Sequence, residues 1–316
     1  MGDVLVTRQL PEGGLDPLVR AGHTLIQNAA DDRYSTEELA KMAPELDGIL
    51  CLLTDRIDET VLRAGAAGRL KVIATAAVGY DNVDLTAARS LGIAVCNTPG
   101  VLDKTTADLA FLLILAASRL ASDAERSLRA GQWGGWGFVD YLSRDVHGAV
   151  LGLVGYGRIA REVGRRGDGF DMEVLHHSRT DTGLPGYRAE LDELLTVADV
   201  VSLHVPLTDS THHLIGAREL ALMKPTAVLV NTARGPVVDE EALADALESG
   251  RIFAAGLDVY DGEPTVNPRL LAAPRTVLLP HIGSATTETR TRMAQLAAQG
   301  VCDVLAGRTP PNLVLG

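Results

Sequence analysis

Arg234, Glu263 and His281 are the residues whose types and spacing most directly allow chemistry. Each follows a short apolar run, in NTARGPVV (231–238), GLDVYDGEP (256–264) and LLPHIGSAT (278–286). A cation, a carboxylate and an imidazole at successive strand exits can meet at the carboxyl edge of one sheet, where open α/β folds bind ligands. The guanidinium would hold a carboxylate through two parallel charged hydrogen bonds. The imidazole titrates near neutrality and would protonate a carbonyl oxygen as hydride reaches its carbon. A carboxylate on the other ring nitrogen would orient the ring and raise its pKa, so that it starts protonated. Taken singly, Arg234 could cap a helix, Glu263 could be a loop charge, and His281 could be a satisfied core residue. Their shared strand-exit placement is what argues for a site.

A glycine turn upstream suggests the source of electrons. In GLVGYGRIA (152–160), Gly155 permits a tight turn, and Gly157 lets backbone approach a pyrophosphate. Ala160 is small enough for helix to pack on strand, and Tyr156, Arg158 and Ile159 complete a helix N-terminus that attracts the anion. With glycine at 32 of 316 residues such triplets also arise by chance, so the preceding strand and following amphipathic helix carry the inference. About 20 residues on, an NAD site usually offers an acidic residue to the ribose. Here stand Ser178, Arg179 and Thr180, which suit a 2′-phosphate, so NADP(H) is preferred and NAD(H) remains possible. Asp181 could soften that preference, and Arg179 could instead be a solvated surface residue. His176 and His177 read as strand residues, and no metal site is expected.

The elements that must position these groups follow from hydrophobic periodicity. Strands are expected at Val4–Thr7, Gly48–Leu53, Lys71–Thr75 and Ala94–Asn97, with helices at Ser35–Met42 and Asp58–Ala66 between them. One long helix is expected over 104–130, ended by Gly131 and followed by an aromatic, glycine-rich excursion, GQWGGWGF. A second series places strands near 149–154, 173–176, 199–203, 226–230, 255–259 and 276–279. Helices fall at 157–166, 190–196, 216–222 and 239–249, and a last one at Thr287–Leu305 can return to the first domain. The fold class is therefore α/β: two doubly wound parallel-sheet domains, with a cleft between them. A substrate-binding domain would comprise 1–98 plus 287–316. A dinucleotide-binding domain would comprise 99–286, including an arm at about 121–147.

Composition narrows the partners. The net charge of −12 would repel nucleic acid and anionic membranes, and aromatics at 4% argue against base-stacking platforms. Cys51, Cys96 and Cys302 are widely separated, which suits a reducing compartment. With neither a secretory leader nor a long apolar span apparent, a soluble cytoplasmic protein is expected.

The chain resembles the D-isomer-specific 2-hydroxyacid dehydrogenases, and among them the glyoxylate/hydroxypyruvate reductases. The resemblance runs through AAVGYDNVDLTAARSLGIAVCNTPGVLDKTTADLAFLLIL, LGLVGYGRIA, HSRT, VSLHVPLTDSTHHLIG, NTARGPVVDEEAL, AAGLDVYDGEP and LPHIGSAT. It implies a flavodoxin-like substrate domain beside a Rossmann cofactor domain, with Arg234, Glu263 and His281 as the catalytic arginine, glutamate and histidine. It implies that backbone N–H groups at Val78 and Gly79 bind the substrate carboxylate and that Leu53 lines the pocket. Asp258, Thr106, Thr232, Ala233 and Gly283 would lie at the nicotinamide, with Val205, Pro206 and Thr211 along the cofactor. It further implies a homodimer in which Trp136 projects into the partner's site. The implied reaction is reduction of a small 2-ketoacid to a D-2-hydroxyacid. A 2-ketogluconate-type reductase, a phosphite dehydrogenase or a dinucleotide-sensing co-repressor would use the same scaffold.

Overall fold

The computed structural model describes residues 1–314. Its chain divides into two compact units, Met1–Leu102 with the chain from Ser284 onward, and Asp103–Gly283.

In the first unit, β1 (Asp3–Val6), β2 (Thr24–Gln27), β3 (Gly48–Cys51), β4 (Val72–Thr75) and β5 (Ala94–Cys96) form one parallel sheet in the order β2-β1-β3-β4-β5. That is the flavodoxin-like order. Every residue of β3 and β4 is buried, as expected of strands covered on both faces. Alternation sorts their side chains. Val4, Leu50 and Val72 pack with Ala297, Ala298 and Val301 of the helix Thr287–Leu305. Leu5, Ile49 and Ile73 face Leu39, Val61 and Leu62 on the other side. Ser35 caps the helix Thr36–Met42 in a reciprocal box with Glu38. Sequence periodicity missed β2, whose residues are mostly exposed, so this edge strand carries little hydrophobic signal.

The second unit contains β6 (Val150–Val154), β7 (Glu173–His177), β8 (Tyr187–Arg188), β9 (Val200–Leu203), β10 (Val228–Asn231), β11 (Ala254–Leu257) and β12 (Thr276–Leu278). Their order, β12-β11-β10-β9-β6-β7-β8, is the dinucleotide-binding arrangement extended by one strand, with its switch point between β6 and β9. The two-residue edge strand β8 is too short to leave a periodic signal.

The single helix expected over 104–130 is instead two helices, Asp103–Ser118 and Ala121–Arg129, bent by 68°. Leu120 stands between them with a left-handed φ of +52°. The break falls where burial changes. Ala107, Ala110, Leu113, Ile114 and Ala117 are buried in the first helix, whereas no residue of the second is. No single helix among the described residues is long and apolar enough to cross a membrane.

Candidate active site

β10 ends at buried Asn231, whose side chain shapes the loop that follows. Its Oδ1 accepts from the Ala233 N–H at 2.9 Å, and its Nδ2 donates to the Arg234 carbonyl at 2.8 Å. Arg234 in turn donates from Nη1 to the Ala233 carbonyl at 2.8 Å. Directly after it, Gly235 lies against the next loop so tightly that a Cβ there would stand 1.9 Å from the Tyr260 carbonyl carbon. Only glycine allows that approach.

The loop after β11 carries Glu263. One carboxylate oxygen accepts from the Tyr260 N–H at 2.9 Å, and the other lies 2.7 Å from His281 Nδ1. The Tyr260 hydroxyl donates to the Leu279 carbonyl at 3.0 Å, tying this loop to the end of β12. His281 has a left-handed φ of +53°, a conformation that costs free energy and persists only where surroundings enforce it. Its ring and the backbone that follows it are both held. Glu263 takes Nδ1, and buried Asp258 accepts from the Ile282 and Gly283 N–H groups at 2.7 and 2.8 Å. The side chains of His281 and Glu263 are 36% and 34% exposed, so the pair reaches solvent.

Charges within this cluster oppose its burial. Desolvation works to raise the Glu263 pKa, but hydrogen bonds from His281 and the Tyr260 N–H, with the nearby His281 and Arg234 charges, hold it below its ordinary value. Asp258 goes the other way. Its burial outweighs the two backbone N–H bonds, and its pKa is raised. The three residues singled out from sequence thus lie on adjacent loops of one unit, with Asp258 beside them.

The glycine turn sits at the switch point. Gly155 has φ +85°, and a Cβ there would stand 2.8 Å from the His204 carbonyl oxygen and 2.9 Å from Val205 Cγ1. Gly157 caps the helix Arg158–Asp168, and a Cβ there would meet no protein atom within 4 Å. Open space before the helix N–H groups at Arg158 and Ile159, which have no acceptor among the described residues, fits a dinucleotide pyrophosphate. Ala160 is fully buried in the core with Leu153 and Val163. Thr106 lies at the Gly283 end of this unit, near Asp258, and the buried Thr232 hydroxyl has no hydrogen-bond partner among the described residues. These groups fit a bound nicotinamide dinucleotide.

Other expected contacts divide. Arg179 is exposed and makes no hydrogen bond or ion pair among the described residues, and Thr180 is exposed beside it. The Ser178 hydroxyl donates to the Thr180 carbonyl, and Asp181 accepts from the Gly183 N–H at 2.8 Å. The Thr211 hydroxyl is occupied in folding its own loop, donating to the Pro206 carbonyl at 2.6 Å. Periodicity did not reveal that Tyr156 stacks on His176, their ring centroids 3.7 Å apart.

In the other unit, the loop bearing Leu53 is pinned by buried Asp55, which accepts from the Leu52 N–H at 2.8 Å and the Thr7 hydroxyl at 2.5 Å. The Val78 carbonyl accepts from Asn97 at 2.8 Å. Neither the Val78 nor the Gly79 N–H donates to an acceptor among the described residues. Trp136 is 81% exposed and meets Phe138 edge-on, with their ring centroids 6.0 Å apart.

Comparison with known proteins agrees with this geometry. Residues 111–283 match the family model for the NAD binding domain of D-isomer specific 2-hydroxyacid dehydrogenases. A glyoxylate reductase of Thermococcus litoralis is 42% identical over 321 residues, covering 98% of this chain and 96% of that protein. A crystal structure of a protein from Thermus thermophilus superposes with a TM-score of 0.92 at 45% identity, covering 99% of this chain and all of that one. An NADPH-dependent glyoxylate/hydroxypyruvate reductase from Sinorhizobium meliloti, solved with NADP and malonate, gives 0.86 at 33% identity, covering 99% and 96%.

Proposed function

The chain belongs to the D-isomer specific 2-hydroxyacid dehydrogenase family, and on that premise we propose that it is an NADPH-preferring reductase of glyoxylate and hydroxypyruvate. It is an NAD(P)-dependent oxidoreductase acting on 2-ketoacids, and we further assign roles to its site residues. The observation that carries them is the 2.7 Å contact between His281 Nδ1 and Glu263, made while the other Glu263 oxygen is fixed by the Tyr260 N–H.

Arg234 holds the substrate carboxylate, and its planar fork sets the keto carbon's orientation. Leu53, Val78 and Gly79 are further substrate contacts. Two adjacent backbone N–H groups without an acceptor among the described residues suit an anion. His281 donates a proton from Nε2 to the keto oxygen while Glu263 holds Nδ1. The hydride for the keto carbon would come from the reduced nicotinamide when that cofactor is bound. Gly157 and the N–H groups of Arg158 and Ile159 take the pyrophosphate, with Gly155, Tyr156, Val205, Pro206 and Thr211 shaping its cradle. Thr106, Thr232, Ala233, Asp258 and Gly283 face the nicotinamide, and Ser178, Arg179 and Thr180 face the 2′-phosphate. The arm at about 121–147 joins two copies into a homodimer, with Trp136 reaching the partner's site. The buried free cysteines suit the reducing cytoplasm.

Steady-state rates with NADPH and NADH across glyoxylate, hydroxypyruvate and 2-ketogluconate test the assignment. The expected result is the highest kcat/KM for NADPH with the two small ketoacids. Faster reduction of 2-ketogluconate, or cofactor reduction by phosphite that outpaces every ketoacid, would overturn it.

A further inference from the structure

The geometry points to Glu240 as a positioning residue that holds the Glu263–His281 pair through one peptide group, an inference resting on the proposed roles of that pair. Glu240 opens the helix Glu240–Glu248, yet it does not cap it. Asp239 does so, accepting from the Glu241 and Ala242 N–H groups. The Glu240 side chain is thus free for another task, and at 9% exposure it is buried for a carboxylate. Burial raises its pKa, with the charges of Asp261, Glu241 and Glu263 adding to the effect. A carboxylate kept in such a place, with no ion pair among the described residues, calls for a reason beyond stability.

A hydrogen bond of its side chain supplies that reason. Glu240 Oε1 accepts from the Asp261 N–H at 2.8 Å. The same Tyr260–Asp261 peptide is pressed from another side by Gly235, where a Cβ would stand 2.1 Å from the Tyr260 oxygen and 2.3 Å from the Asp261 nitrogen. Tyr260 then holds both partners of the pair: its N–H fixes Glu263, and its hydroxyl fixes the Leu279 carbonyl two residues before His281. Glu240 and Gly235 lie on the connection that also carries Arg234. The clamp therefore sets the arginine loop against the glutamate loop, and small displacements of reacting groups are costly in rate.

The test uses Glu240→Ala, Glu240→Asp and Glu240→Gln, with Glu263→Gln and His281→Asn in parallel. Aspartate keeps the charge but loses reach, whereas glutamine keeps an oxygen acceptor at full reach. With glyoxylate and NADPH, E240A and E240D should lose kcat by about tenfold or more, while E240Q stays within about threefold of wild type. The NADPH Kd, read by nucleotide fluorescence, should hold within about twofold throughout, as should the glyoxylate KM. Because Glu240 acts in part through Glu263, adding E240A to E263Q should cost less kcat than E240A costs in the wild-type background. Full additivity in that double variant, equal losses in E240Q and E240A, or wild-type kcat in E240D would each overturn the inference. Retained turnover in H281N would instead overturn the proposed function, whatever the Glu240 variants do.

Discussion

His281 reaches Glu263 from a left-handed backbone, its Nδ1 2.7 Å from a carboxylate oxygen whose twin is already bound to the Tyr260 N–H. The carboxylate cannot swing freely, so it fixes the plane of the ring as well as its tautomer. Replacing Glu263 by Gln should therefore reduce kcat by ~10- to 100-fold, less than losing the imidazole itself. Steady-state turnover with glyoxylate checks this, and a change confined to KM would contradict it.

Glu263 also links pH to stability. Its folded pKa lies below the ordinary 4.5, so its contribution is fully present above that value and is lost as pH falls through the lower folded one. Melting curves of wild type and E263Q should be furthest apart at neutral pH. They should draw together only below about 4.5, the unperturbed carboxyl range. A gap that closes already between pH 7 and 5 would refute the sign of the shift.

His204, after β9, should drive a second acid response. Burial pushes its pKa down from 6.5 to about 4. The unfolded chain then takes up a proton that the folded chain refuses, so stability falls as pH drops from 6.5 toward 4. By the usual conversion the loss is at most about 3 kcal/mol, and less because part of the residue reaches solvent. His204→Gln should flatten the dependence of Tm on pH in that window, and an unchanged slope would count against it.

The two glycines of the cofactor turn should separate folding from binding. Gly155→Ala forces a Cβ into the His204 carbonyl at positive φ, so both Tm and cofactor affinity should fall. Gly157→Ala meets no protein atom, so its Tm should stay near that of wild type while the Kd for NADPH rises about tenfold or more by intruding on the pyrophosphate's space. Equal Tm losses in the two variants would contradict this division.

Arg179 is exposed, whereas Asp181 is engaged by the Gly183 N–H. Arg179→Ala should raise the Kd for NADPH by ~10- to 100-fold and leave that for NADH nearly unchanged, as expected for loss of a charged contact to a phosphate. Parallel titrations with the two nucleotides decide it, and equal weakening of both would remove Arg179 from the 2′-phosphate contact.

Much of this architecture was legible because buried parallel strands read as short apolar runs, as in VLGLV and VLVN. The strand-exit positions of Arg234, Glu263 and His281 followed from those runs. Edge strand β2 and the two-residue β8 were hidden because mostly exposed or very short strands lack the pattern. The bend at Leu120 was hidden because Leu has no local signature for a left-handed residue. Within the site, the parts that escaped are those acting through the backbone. Asn231 folds the arginine loop, Tyr260 braces Glu263 and Leu279, and Glu240 grips the Asp261 N–H. Each is an ordinary residue type whose role depends on which N–H or carbonyl the fold brings to it.

The most direct measurement is NADPH oxidation with glyoxylate by the His281→Asn variant, since asparagine tolerates the left-handed backbone but cannot supply the titrating imidazole. With NADPH affinity retained, kcat should fall by ~100-fold or more, the range for losing a general acid. Turnover near that of wild type would show that the proton comes from elsewhere, and the assignment of His281 would fail.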